Sequence, residues 1–242
     1  MLTKNDIKLI KSLKTKKYRF LNKMFIVEGK KSIIDFLNSE HHIVKLFSVN
    51  NDFDKYELNS VKLSYLELKK ISYLKNPDDH LAIIKISVPK MIDENKLIIG
   101  LENISDPGNL GAIIRICDWF GIKDIICSKN SVDCYNSKVV QASMGSLSRV
   151  NINYLDFNKY LNSKSFTKAG TFLEGKSIYL NKISFSKGII VFGNEANGIS
   201  PEIEKKLDIK YTIPRFNNSK NPESLNLASS VSIVLSELLK SY

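Results

Sequence analysis

The sequence predicts an α/β protein made of two consecutive units, residues 1–88 and 96–242. Three observations predict it. Short apolar runs alternate with amphipathic stretches of helical period along the whole chain. Runs such as LIIGL (97–101) and GIIVF (188–192) are apolar throughout, as expected of strands covered on both faces of a parallel sheet. Between the units, VPKMIDENK (88–96) combines Pro89 with mixed charge and no periodicity, and reads as a linker.

In the first unit, residues 4–23 set Ile7, Ile10, Leu13, Phe20 and Leu21 among lysines. That is an amphipathic basic helix, with a break near Lys16. A strand at MFIVEG, a helix at KKSIIDFLNSE and a strand at HIVKLFSV follow. A short strand at VKLS, a helix at YLELKKISYL and a strand at LAIIKIS complete the unit. The second unit opens with the strand KLIIGLE, a turn and the helix around GAIIRICDWF. Strand DIIC, helix SKVVQASM, a strand near RVNI, helix DFNKYLN and strands FTKAGTF and GIIVFG come next. Helix PEIEKKL starts with Ser200 as N-cap and Pro201 at its first position. After a strand at YTIP, the last helix, from Ser224, carries an apolar stripe at Leu227, Ala228, Val231, Val234, Leu235, Leu238 and Leu239. That stripe is core and, in part, a subunit interface.

Composition narrows the function. No apolar run approaches the roughly 20 residues that span a bilayer. The N-terminus has no apolar block of the signal-peptide kind, so a cytoplasmic location and no membrane partner are expected. The three cysteines, Cys117, Cys127 and Cys134, form no CxxC pair, and all three histidines precede residue 81. The second unit thus has neither a Cys/His metal set nor a histidine base, and no metal is expected. Net charge is +11. Residues 1–31 hold nine Lys and one Arg against two acids, a net of +8. A basic chain of this kind meets polyanions, nucleic acid first.

Three polar loops each follow a strand, where ligands of open α/β sheets gather. In DPGNLGAIIR, Asp106-Pro107-Gly108 is turn chemistry and Asn109 is a candidate N-cap. Arg115, one of only four arginines, follows between one and two helical turns later, so both can face the loop's mouth. A capped core helix with a surface arginine is the plainer alternative. In GNEANGIS, Gly193 and Gly198 bracket Asn194, Glu195 and Asn197. Glu195 is either simply solvated or answers a cationic ligand or a ribose. In IPRFNNSKNPESLNLASS, Ser224 is a candidate N-cap, which puts Asn226 inside the helix, where asparagine is an indifferent former. The glycine spacing is not that of a dinucleotide fold, which disfavours an oxidoreductase.

In this order the three loops resemble the three motifs of the SpoU/TrmH family of RNA ribose 2′-O-methyltransferases, within the SPOUT superfamily. The residues are Asn109-Leu110-Gly111 with Arg115, then Gly193-Asn194-Glu195-Ala196-Asn197-Gly198, then Ile213-Pro214 with Ser224-Leu225-Asn226. FIVEGKKSIIDFL is similar to the small substrate-binding domain that precedes the catalytic domain in many members. The resemblance implies a parallel-sheet α/β domain with a deep C-terminal trefoil knot, which no periodicity would suggest. It implies a homodimer, S-adenosylmethionine as methyl donor and structured RNA as substrate, ribosomal RNA first and transfer RNA second. A non-catalytic RNA-binding protein of the same fold is the alternative.

Residue by residue, the resemblance puts Thr171, Gly193, Asn194, Gly198, Ile213 and Leu225 around the donor, largely through backbone. It puts Asn109, Arg115, Glu195, Ser224 and Asn226 around the reacting ribose. The third loop departs from the usual pattern in its length, its Lys220 and the Leu-Ala-Ser after Asn226. In the family, the residue matching Arg115 has been proposed as the general base, assisted by an RNA phosphate. Arginine scarcely ever gives up its proton, so the equal reading is a fork onto a phosphate that stabilises a developing alkoxide.

Overall fold

The structure is a computed structural model that describes residues 1–180, 187–216 and 224–240. The chain forms two compact units, and their division is not linear in sequence. Residues 1–88 associate with 133–149, and residues 89–132 with the chain from 150 onward.

In the first unit, helix α1 (Lys4–Ser12) begins at a reciprocal cap. Thr3 Oγ1 accepts from the Asp6 backbone at 3.1 Å, and the Asp6 carboxylate accepts from the Thr3 backbone at 3.1 Å. Helix α2 (Lys16–Asn22) follows and ends at Lys23, in the left-handed region at φ 52°. The expected basic helix is therefore two helices, and the break falls just before Lys16. Strands β1 (Met24–Glu28), β2 (Ile43–Ser48), β3 (Ser60–Lys62) and β4 (His80–Lys85) form a sheet in the order β1-β4-β2-β3. β4 runs antiparallel to β1 and β2, and β2 parallel to β3. Helices α3 (Lys30–Leu37) and α4 (Tyr65–Ile71) complete the unit's first 88 residues. Ile10 and Leu13 join Ile26, Phe47, Leu68, Ile71, Leu81 and Ile83 in one core, so the apolar stripe of the first helix is a packing face.

Residues 133–149 carry a short helix (Ser137–Ser143) and a 3₁₀ turn (Ser146–Ser148). A boundary at 88–96 leaves this segment with the second unit in sequence, whereas its contacts group it with residues 1–88. The buried Arg19 guanidinium donates twice to Asp133 Oδ2, at 2.9 and 2.6 Å, and to the carbonyls of Leu13 and Lys14. The Phe25 and Tyr135 rings meet at 4.7 Å, and Arg149 pairs with Asp35 at 3.0 Å. Gly145 (φ 89°) sits so close to Asp35 that a Cβ there would come within 2.0 Å of its carboxylate.

The second unit holds β5 (Leu97–Leu101), α5 (Pro107–Trp119), β6 (Asp124–Ser128), and, counting the short helix above as α6, β7 (Asn151–Leu155) and α7 (Phe157–Asn162). Then follow β8 (Lys168–Ser177), β9 (Gly188–Phe192), α8 (Pro201–Glu204), β10 (Ile209–Thr212) and α9 (Leu227–Leu238). The sheet order is β10-β8-β9-β5-β6-β7, and every neighbouring pair is parallel. β5, β6 and β9 are buried at every position, which is why they read as unbroken apolar runs. β8 runs five residues past the expected FTKAGTF, because after a register shift its second half pairs with β10. From β5 the chain steps outward through β6 and β7, then crosses back so that β9 lies on the other flank of β5. The strand order reverses between β5 and β9, and such a reversal opens a crevice at the strands' C-terminal ends.

Candidate active site

Helix α5 starts at that crevice. Asp106 is its N-cap, with Oδ1 accepting from the Asn109 backbone at 2.7 Å, and Pro107 occupies the first turn. Proline has no N–H to lose there and a preset φ, so the residue before it caps. Asn109, expected as the cap, is instead three residues inside the helix. Its side chain is thereby released from capping.

That side chain joins two others. Asn109 Nδ2 donates to Glu195 Oε1 at 2.7 Å, and Asn109 Oδ1 accepts from Asn226 Nδ2 at 2.9 Å. Asn226 is the N-cap of α9, its Oδ1 accepting from the Ser229 backbone at 3.2 Å. This corrects the placement of the cap at Ser224 and of Asn226 within the helix, because α9 begins only at Leu227. An N-cap asparagine still has an amide to offer outward. Three residues, 86 and 117 positions apart, thus meet at the solvent-facing end of β5 and β9.

The loop that carries Glu195 is a closed turn. Asn194 and Gly198 exchange both backbone hydrogen bonds, at 3.0 and 2.8 Å. Gly198 adopts φ 67°, and a Cβ on Gly193 would lie 2.1 Å from the Gly198 carbonyl carbon. Both glycines are therefore required by the turn itself. Asn194 Oδ1 accepts from the Ala196 backbone at 2.9 Å, while Nδ2 donates to the Asn103 carbonyl at 2.8 Å. Its side chain shapes the loop.

Of the other expected residues, Ser224 is exposed and Leu225 half exposed just ahead of α9. Thr171 lies in β8 and Ile213 directly follows β10, both half-buried. Arg115 is exposed on α5 and makes no hydrogen bond or ion pair among the described residues. At the ordinary helical rise and twist it stands about 9 Å along the axis from Asn109 and roughly 120° around it. It is not part of the 109–195–226 network. The stretch 217–223, with Lys220, lies outside the described residues.

Two participants had not been expected. Glu102, buried at the end of β5, accepts from the Ser200 backbone at 2.9 Å and from Ser200 Oγ at 2.6 Å. Asn103, at φ 56°, supplies the carbonyl that holds Asn194. The available signal was an acidic residue directly ending an apolar strand, LIIGLE. Burial pushes the thiols of Cys117 and Cys127 up, the latter to about 12, so neither serves as a nucleophile. A cleft of about 380 Å³ in the first unit, lined by His41, His42, Glu57 and Asn59 among others, contains none of the expected site residues.

Comparison with known proteins identifies the family. A TrmH-family protein from Porphyromonas gingivalis has a similar structure, with a TM-score of 0.90, 31% identity and 100% of both chains covered. An AdoMet-bound rRNA methyltransferase from Sinorhizobium meliloti follows the fold with a TM-score of 0.85 at 26% identity, covering 100% of this chain and 96% of the other. The 23S rRNA (guanosine(2553)-2′-O)-methyltransferase RlmP of Bacillus subtilis is 24% identical over 94% of this chain and 93% of its own length. Residues 4–82 match the MRM3-like substrate binding domain, and residues 96–236 match the SpoU rRNA Methylase family. The chain belongs to the SpoU rRNA methylase family.

Proposed function

We propose that this protein transfers a methyl group from S-adenosylmethionine to a ribose 2′-hydroxyl of RNA, with ribosomal RNA as the substrate. The observation that carries the reading is the meeting of Asn109, Glu195 and Asn226 where the strand order reverses. The ribosomal target rests on the relatives, among them the 2′-O-methyltransferase of Bacillus subtilis.

The residues present suit the donor in kind. An exposed carboxylate, Glu195, faces a cationic sulfonium well, and the tightly closed 193–198 turn offers main chain to an adenosine. When bound, adenosylmethionine supplies a methyl group already activated by its sulfonium. What remains is alignment and proton removal. Asn109 and Asn226 are neutral hydrogen bonders that orient a ribose without competing for the methyl, and orientation of this kind supplies up to about 7–11 kcal/mol. Among the described residues Arg115 has an uncommitted guanidinium, and its role is to bind an RNA phosphate and stabilise the developing alkoxide.

The C-terminal trefoil knot and the homodimer belong to the same proposal. The knot is supported by the path of the chain, which leaves β10 at the sheet edge and returns to pack α9 against α5. The dimer is supported by Trp119, 86% exposed on the same open face of α5 as Arg115. The test is incubation of the purified protein with methyl-labelled adenosylmethionine and ribosomal RNA, followed by mapping of the label. Label in a ribose 2′-O-methyl group is expected. Absence of label from every RNA, together with no thermal stabilisation by adenosylmethionine, overturns the reading. Stabilisation by RNA alone would identify a binding protein instead.

A further inference from the structure

Glu102 is the one fully buried carboxylate of the second unit that ends an apolar strand and meets no lysine or arginine among the described residues. Both of its oxygens are taken by a single residue. Oε2 accepts the Ser200 N–H at 2.9 Å and Oε1 accepts the Ser200 hydroxyl at 2.6 Å. Burying a carboxylate without a cation opposes folding unless strong hydrogen bonds offset it. A stable core alone would be served as well by an apolar residue at the end of β5. The partner it has chosen is telling. Ser200 closes the loop that begins at Gly193 and carries Glu195 at its tip.

The neighbouring residue holds the other end of the same loop. The Asn103 carbonyl accepts Asn194 Nδ2 at 2.8 Å, and Asn103 is held in turn, its N–H donating to Ser128 Oγ at 2.8 Å. Residues 102 and 103 thus grip the 193–200 loop at both ends. They also lead directly into α5, whose first turn presents Asn109. One short segment therefore sets the register between the two halves of the site, the Asn109 amide and the Glu195 carboxylate, which meet at 2.7 Å.

We infer that Glu102 is a positioning residue for methyl transfer: it pins Ser200 so that Glu195 is held against Asn109. The inference rests on the proposed transferase activity for its kinetic consequence, and on geometry alone for its structural one. The variant is Glu102→Met, similar in length, apolar and without an acceptor. Hydrogen exchange in the ligand-free protein reads the clamp. The amides of Gly198 and Ser200 are expected to exchange about tenfold faster or more, while those of β5 and β9 stay protected. Methyl transfer reads the consequence. Turnover at saturating substrates is expected to fall about tenfold in otherwise wild-type protein, and to fall no further when Glu195→Ala is already present, as for residues acting through one group. Ser200→Ala would also remove the N-cap of α8, because Ser200 Oγ accepts from the Ile203 backbone at 3.4 Å. Glu102→Gln leaves that cap in place, replaces the carboxylate by a weaker neutral acceptor and should show the same pattern at smaller amplitude, so it decides the matter if Glu102→Met does not fold. Unchanged exchange at 198 and 200, or equal losses of turnover with and without Glu195, would overturn the inference. If the wild-type protein methylates nothing, the proposed activity fails and the exchange measurement alone decides whether the clamp exists.

Discussion

Replacing Asn109 with alanine removes the centre of the three-residue network while sparing the fold. The start of α5 depends on Asp106 Oδ1 and the backbone N–H of residue 109, and that bond survives the change. Alanine is also the better helix former, so stability should hold or rise slightly. The loss is confined to two side-chain bonds. The one to the Glu195 carboxylate, at 2.7 Å, belongs to the class worth about 1.5–3 kcal/mol, and the one to Asn226, at 2.9 Å, to the class worth about 0.5–1.5. All three residues reach solvent, so the lower ends apply, for a sum of about 2 kcal/mol. If that energy is realised in holding the ribose at the transition state, kcat/KM falls about 30-fold. The assay is steady-state transfer of labelled methyl from adenosylmethionine to RNA, with the donor's dissociation constant measured separately and expected to change less than about twofold. A variant that turns over within about threefold of wild type would refute the reasoning, because the meeting of the three loops would then contribute little to the reaction.

Arg115→Lys keeps the charge but loses the planar fork, so most methyl transfer should disappear while adenosylmethionine binding, read by calorimetry, persists; near-wild-type turnover counts against a role for the guanidinium. Asp133→Ala leaves the Arg19 guanidinium buried with only two carbonyl partners, and urea unfolding should show a loss of about 3–5 kcal/mol, whereas a loss below about 1 would mark the pair as no more than a surface contact. Burial raises the Glu28 carboxyl above its ordinary value near 4.5, against hydrogen bonds from Ser72 and the Tyr73 backbone that lower it. Because the folded pKa lies above the unfolded one, the group favours folding below the unfolded value and that contribution is lost as pH rises through the folded value. Glu28→Gln should therefore gain stability relative to wild type between pH 4 and pH 7, and an equal difference at both pH values would contradict it.

The sequence made the elements legible where a local period decides them. The alternation of apolar runs and amphipathic stretches follows from how side chains repeat along a strand or a helix. Strands such as β5 and β9, covered on both faces, declare themselves by composition. Helix ends were harder, since a cap is chosen by backbone geometry over two or three residues. Asp106 and Asn226 took the cap positions for which Asn109 and Ser224 had been the candidates. The three loops were identifiable as a set because each follows a strand and resembles a known motif, yet nothing local said that they touch.

What the sequence determined by itself was an α/β chain, basic at its N-terminus, with three polar loops at strand ends and no histidine beside them. Only the tertiary structure decided that β9 lies against β5, that residues 133–149 pack with the first unit, and that Glu102 grips Ser200. The physical reason is range. Period, propensity and capping act over a few residues, whereas strand adjacency, the partner of a buried arginine and the meeting of Asn109 with Glu195 and Asn226 depend on contacts many tens of residues apart.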